Sequence, residues 1–512
     1  MTEIRSTAQR DSMIDRLNDD LFDVVVIGGG INGAVALAAA SGKGAKAAMF
    51  QASDFASGSS QESSTLAWGG IKYLENYEFK LVWDLCKSRN ELMDNFPSAI
   101  VETRFVTKID KGFRKPAFLI YLGTLLYWAM GKFRTQAPQY LTRRRLRKLE
   151  PAISQDNLGG AFAYSDSVYL DGDARFTFNF IKSAINRGAV AVNYMPATSI
   201  SRGDDNIWTI TAEDTLSQKT YSLRARTIVN TAGAAADKIA EMASVQHAHK
   251  HILSKGAHLI VPPVTDKRHV ITSFAKDGRL FFALPMAGNT CIGTTDEIVP
   301  TPKVEVNDAD REFILASINA ALDMEPPLSK KDIIAERCGV RPLVVSANTP
   351  TELEGRDAFD ISRKHVIDTN TDHSFVTVYG GKLTDCINTG NEICEELEKG
   401  GIALEGARDI WFGESSKSEK SRFMSRQDEV QSELDLSDQD IKTMMERWWR
   451  YYDVAAHELV DRFHPQSRLV YPEELISDTE IDFIRETEMA LTDRDIRRRR
   501  TNLTMAKGLK AD

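Results

Sequence analysis

The sequence predicts an α/β protein with two sheet-bearing domains interleaved along the chain and a helical domain at the C-terminal end. Three observations carry this reading. A β-α-β unit opens at Val24, blocks of strands interrupt the α/β pattern further on, and from about Gly400 the composition turns polar and helical. The 512 residues, 42% hydrophobic and 27% charged, suffice for two or three domains with sizeable cores. A net charge of -9 argues against a general nucleic-acid binder, which needs a basic excess on its docking face.

Residues 1–21 read as a polar tail. "MTEIRSTAQRDSMIDRLNDD" lacks the apolar centre of a secretory signal, so a cytoplasmic location is expected. The run "DVVVIG" reads as a strand, "NGAVALAAASGKG" as a small-residue helix after a glycine turn, and "AKAAMFQ" as a second strand. Further strands are expected at "AVAVNY", "IWTITA", "TIVNTAG", "AHLIVPP", "HVITSF", "LFFALP", "TCIGTT" and "SFVTVYGG", with helices from Arg175 to Arg187 and from Asp308 to Leu322. In the C-terminal region, "SDQDIKTMMERWWRYYDVAAHELVDRF" and "TEIDFIRETEMALTDRDIRRRRTNLTM" have amphipathic helical spacing. The apolar stretch "PAFLIYLGTLLYWAMG", Pro116 to Gly131, is shorter than the roughly 20 residues a bilayer span needs. It suits either a helix lying in a membrane interface, given its aromatic and basic flanks, or a buried core helix. Five scattered cysteines with no C-x-x-C pair suggest neither a disulfide framework nor a zinc site, and no metal is expected.

Gly28, Gly30 and Gly33 form G-x-G-x-x-G between the first strand and helix. The first permits the turn, the second lets backbone approach a pyrophosphate, and the third allows close helix-strand packing. Gln51 stands where an acid usually accepts the ribose hydroxyls, and an amide oxygen accepts such bonds without charge assistance. A serine-rich loop and a Gly-Gly pair follow in "DFASGSSQESSTLAWGGIKYLENYEF". At these residues the chain resembles the FAD-dependent glycerol-3-phosphate dehydrogenases of the D-amino-acid-oxidase-like flavoprotein superfamily. The likeness runs from Phe22 to Glu396 and more loosely beyond, through "YSDSVYLDGDAR", "NTAG", "KGAHLIVP", "GTTD", "GVRPL", "YGGKLT" and "EMALTDRDIRRRRTNL".

The resemblance implies an FAD-binding Rossmann-like domain (roughly 22–80, 160–250 and 360–400) interleaved with an antiparallel-sheet substrate domain (roughly 81–159 and 251–359). A C-terminal helical cap domain then follows over 401–512. It implies that FAD lies against Gly28, Gly30, Gly33, Gln51, Ser59, Ser60, Ser63, Ser64, Gly69, Gly70 and Gly233, and near Gly380, Gly381, Leu383 and Thr384. It places Arg341 and Lys382 on a substrate phosphate, Lys72 and Tyr73 beside it, His258 as general base and Thr294 as a substrate hydrogen-bonding group. The implied reaction is oxidation of sn-glycerol 3-phosphate to dihydroxyacetone phosphate, with electrons passed to quinone at the inner face of the cytoplasmic membrane. A soluble oxidase using oxygen, a dehydrogenase of another polyol phosphate such as erythritol phosphate, and a non-catalytic flavin-binding paralogue stay open, as does a homodimer. Four departures from the family pattern bear on these alternatives: Gln51 for the acid, Thr65 for a lysine, Trp68 for a histidine, and a Pro-Trp missing after "NTAG".

Overall fold

A computed structural model describes residues 6–18, 21–275, 278–349, 364–404, 411–434 and 436–509. One mixed sheet of eight strands is built around Leu21–Ile27, which runs parallel to Ala47–Phe50 on one side and to Thr220–Asn230 on the other. Val190–Val192 and Phe375–Tyr379 extend the parallel core at its two ends. Both faces of the central strands are buried, which is why "DVVVIG" and "TIVN" read as continuous apolar runs. The helix Ile31–Gly42 packs beside Asp173–Asn186 and Cys386–Lys399, and its alanines allow the close approach.

A second sheet of ten strands is antiparallel apart from the pairing of Val270–Thr272 with Phe105–Thr107. Its long members are Ile100–Asp110, Leu158–Tyr169, His249–Val261 and Ala335–Ser346. The strand Leu158–Tyr169 lies wholly in this sheet, as does Leu66–Ala67. The crossing points between the sheets therefore fall inside the segments 22–80 and 160–250 rather than at their ends. Beyond residue 411, the helices Asp438–Tyr452, Ala456–Asp461 and Asp478–Thr487 close over a separate core that includes Trp448, Trp449 and Phe483.

Two expectations need correction. The segment read as a polar tail contains a packed helix, Ala8–Asp15, that buries Met13 and Ile14. Its Arg10 is fully buried and donates to Asp214 Oδ1 at 2.6 Å and to the Asn193 carbonyl at 2.9 Å, which meets the cost of burying the charge. Nor is the apolar stretch a core helix. It folds as Ala117–Met130 with Thr124, Tyr127 and Met130 inside and Phe118, Leu119, Leu122 and Leu126 exposed. Among the described residues, no helix is long and apolar enough to cross a membrane.

The C-terminal helices are locked to the first sheet by Glu488. This buried carboxylate accepts from Arg175 Nη1 and Nη2 at 2.5 and 2.8 Å and from Lys182 Nζ at 3.1 Å. Burial by itself would raise its pKa, but Arg175 and Lys182 hold it down to about 2 from the ordinary 4.5. A depressed folded value means that its contribution is complete above the unfolded pKa and is lost as pH falls from 4.5 towards about 2. Glu488→Gln should cost roughly 3 to 5 kcal/mol at pH 7, as for other broken buried pairs, and should flatten the acid limb of stability. Urea midpoints between pH 7 and pH 3 check both effects.

Candidate active site

Where the two sheets meet, a cleft of about 320 Å³ opens between the first glycine turn, the serine loop, the second sheet and the Gly380–Gly381 turn. The glycine turn is dictated by contact. Gly28 has φ 110°, and a Cβ there would sit 2.5 Å from the Thr231 carbonyl oxygen; a Cβ on Gly33 would sit 1.8 Å from that of Gly28. The helix Ile31–Gly42 starts after Gly30, which has no side chain to cap it, and Ile31 N donates instead to Ser60 Oγ at 2.9 Å. Its amide end and the serine loop thus form a backbone cradle suited to an anion.

Gln51 reaches this turn. Its Oε1 accepts from Gly29 N at 2.7 Å, while Nε2 donates to Ser53 and Ser57 Oγ, each at 3.3 Å. An amide serves both directions because it carries an acceptor and two donors. The first glycine motif is tied to the last through Asn32, whose Nδ2 donates to the Gly380 carbonyl at 2.9 Å. Gly380 has φ 64° and packs against Val344, where a Cβ would come within 2.5 Å. Thr384 completes the link, accepting from Trp68 N at 3.0 Å.

The cleft brings together most of the residues singled out in the sequence: Ser59, Ser60, Ser63, Ser64, Tyr73, His258, Thr294, Arg341, Gly380, Gly381, Lys382, Leu383 and Thr384 all line it. Arg341 Nη2 donates to Thr294 Oγ1 at 2.8 Å, so the strand Ala335–Ser346 and the turn after Gly293 present these two groups together. Lys382 Nζ lies 3.8 Å from the Tyr73 ring centroid and 5.6 Å from that of Trp68, which places an aromatic wall beside the cation. His258 is buried, with Nε2 3.4 Å from Ser64 Oγ. Burial first, and then the charges of Arg337 and Arg341, push its pKa well below 6.5, so the ring is neutral at pH 7.

Several expected residues do not line this cleft. Lys72 does not join Tyr73; alternate side chains of this turn diverge, and Lys72 lines a second cavity of about 270 Å³ with Leu119, Ile120, Phe274 and Leu280. Gly69 and Gly70 stand behind the cleft wall, Gly69 against Tyr127 and Gly70 against Tyr73. Gly233, with φ 57°, begins the turn after Thr220–Asn230 and faces open space. Sequence reasoning missed Arg337, which is buried and donates to the carbonyls of Gln61 and Ser63, each at 2.7 Å, and to Asp173 at 3.0 Å. It also missed Asp166, which accepts from Gly69 N, Arg89 and Tyr127. Asp166 and Asp173, both inside the quoted run "YSDSVYLDGDAR", were the available signal.

Residues 23–384 match the family model described as FAD dependent oxidoreductase (DAO). The chain is 30% identical over 412 residues to the aerobic glycerol-3-phosphate dehydrogenase of Bacillus subtilis (strain 168), covering 79% of this chain and 72% of that one. It is 29% identical over 402 residues to the protein of the same name from Staphylococcus saprophyticus, covering 77% and 70%. Its fold matches that of the glycerol-3-phosphate dehydrogenase from Bacillus halodurans solved by X-ray diffraction in complex with FAD, with a TM-score of 0.73 at 23% identity over 98% of this chain and 90% of that one. With the glycine turn, the open helix end and the serine loop all suited to a dinucleotide pyrophosphate, the chain belongs to the FAD-dependent oxidoreductase family and is a flavoenzyme whose cofactor is FAD.

Proposed function

We propose that this flavoenzyme oxidises sn-glycerol 3-phosphate to dihydroxyacetone phosphate and passes the electrons to quinone. The observation that carries the reading is the convergence of Arg341, Lys382, Thr294 and a neutral His258 in one cleft beside the glycine and serine loops. The names of the relatives, aerobic glycerol-3-phosphate dehydrogenase, support the same substrate.

Bound FAD supplies the acceptor for the hydride on the carbinol carbon. Gly28, Gly30, Gly33, Gln51 and the serines of the loop would hold its pyrophosphate and ribose end, with Gly380 to Thr384 towards its ring. Arg341 and Lys382 bind the phosphate dianion, the first as a planar fork and the second as a point charge. This anchoring turns a loose encounter into a fixed pose for the hydroxyl-bearing carbon. His258, kept neutral at pH 7 by its depressed pKa, accepts the hydroxyl proton at Nε2 when its single ring proton sits on Nδ1. Thr294, held by Arg341, orients a substrate oxygen. Trp68 forms part of the wall where the family pattern has a histidine, so it bears on which polyol phosphate fits best.

Substrate under anaerobic conditions should bleach the flavin absorbance, with sn-glycerol 3-phosphate more effective than glycerol or erythritol phosphate. Arg341→Ala and Lys382→Ala should each lower kcat/KM by about tenfold or more with FAD still bound, the effect of losing one charge-assisted contact. Faster bleaching by erythritol phosphate would reassign the substrate, and normal kinetics in both variants would move the phosphate site elsewhere.

The acceptor end of the reading rests on the helix Ala117–Met130. It exposes Phe118, Leu119, Leu122 and Leu126, of which Leu119 also lines the second, largely apolar cavity, and the helix Arg143–Leu149 presents exposed arginines nearby in sequence. A face of this kind suits peripheral contact with an anionic membrane and a lipid-soluble acceptor. The protein should float with anionic liposomes at low salt and remain partly bound at high salt, since screening weakens the basic contact and leaves the apolar one. Failure to float at low salt, together with hydrogen peroxide production, would identify a soluble oxidase instead.

A further inference from the structure

The run "DIRRRR" ends as a helical turn, Asp495–Arg500, in which Arg498, Arg499 and Arg500 are buried. Three successive buried guanidinium groups persist only where each has hydrogen-bonded acceptors. Arg499 Nε donates to Asp54 Oδ2 at 2.5 Å, and Arg500 spans both Asp54 oxygens at 2.9 and 3.0 Å. Arg498 Nη2 donates to the Gln61 carbonyl at 2.7 Å and to Glu62 Oε2 at 2.9 Å. The C-terminal turn therefore grips both ends of the loop whose inner side carries Ser59 and Ser60, and Ser60 in turn receives Ile31 N at the open helix end.

Domain attachment alone does not explain this grip. The C-terminal domain has its own core and is joined to the first sheet by Arg175–Glu488 and Arg450–Asp171. Arg498 instead meets the loop next to the cleft, and it shares the Gln61 carbonyl with Arg337 from the second sheet. We propose that Arg498 is a positioning residue for the cofactor loop, so that the C-terminal domain sets how firmly this chain holds FAD. The proposal requires FAD in the cleft and is independent of which substrate is oxidised.

The test uses the full-length holoenzyme and follows FAD release after dilution by the rise of free-flavin fluorescence. Arg498→Gln should release FAD about tenfold faster or more, as when a buried charge-assisted contact is lost, and Arg498→Lys, which keeps the charge without the fork, should fall between it and the parent. Arg447→Gln is the control. It breaks the buried Arg447–Glu480 pair inside the C-terminal domain, away from the loop, and should lower the thermal midpoint without hastening release. Unchanged release in Arg498→Gln, or equal acceleration by Arg447→Gln, would overturn the proposal. If Arg498→Gln does not fold, Arg498→Lys decides alone, and parental release in that variant has the same consequence.

Discussion

The carboxylate of Asp54, buried between Arg499 and Arg500, is the contact on which the rest of the cleft depends. Burial opposes its ionisation, and the two arginines reverse that, leaving its pKa below the ordinary 3.8. Such a carboxylate is stable only as part of this arrangement, because losing either arginine leaves charge in a medium that solvates it poorly. Asn193 adds a third donor at 2.9 Å, so Asp54 fastens together the end of the strand Ala47–Phe50, the strand region after Val190–Val192 and the C-terminal turn. From that point the serine loop runs to Ser64, where the second sheet takes over through Arg337 and His258. Three chain regions hundreds of residues apart thus share one short loop.

That distribution explains what the sequence made legible. The glycine pattern was readable because Gly28 and Gly33 are each required by a close backbone contact, Gly33 against Gly28 within the unit and Gly28 against Thr231 at the end of the neighbouring strand. The apolar strands of the parallel core were readable because burial on both faces leaves continuous runs. Ile100–Asp110 and Leu158–Tyr169 were not, since they mix charged or small residues, several of whose polar groups find their partners far along the chain. Asp166 shows the difficulty: it is fully buried on a strand and is satisfied by Arg89, Tyr127 and Gly69 N. Arg337 was hidden for the same reason, with its acceptors in the serine loop and at Asp173.

Gln51 lies at the glycine turn. The amide is integrated into the glycine turn, where one oxygen and one nitrogen close a local ring with Gly29, Ser53 and Ser57. An acid there could accept from Gly29 and the serines but could not donate, so the amide suits the turn's own hydrogen bonding. Lys72 departs from its expected place, because the turn from Ile71 to Asn76 sends Tyr73 to the cleft and Lys72 to the second cavity. The rings of Trp68, Phe282, Phe105 and Tyr164 fill the ground between the two spaces.

We propose that one cleft, assembled from both sheets, presents Arg341 and Lys382 to the phosphate of a small polyol ester next to FAD. A crystal structure of the FAD-loaded protein soaked with sn-glycerol 3-phosphate tests it most directly. The account predicts phosphate oxygens within hydrogen-bond reach of Arg341 and Lys382 and a substrate hydroxyl facing His258. A phosphate bound away from both cations, or FAD seated without touching the Gly28–Gly33 turn, would contradict it.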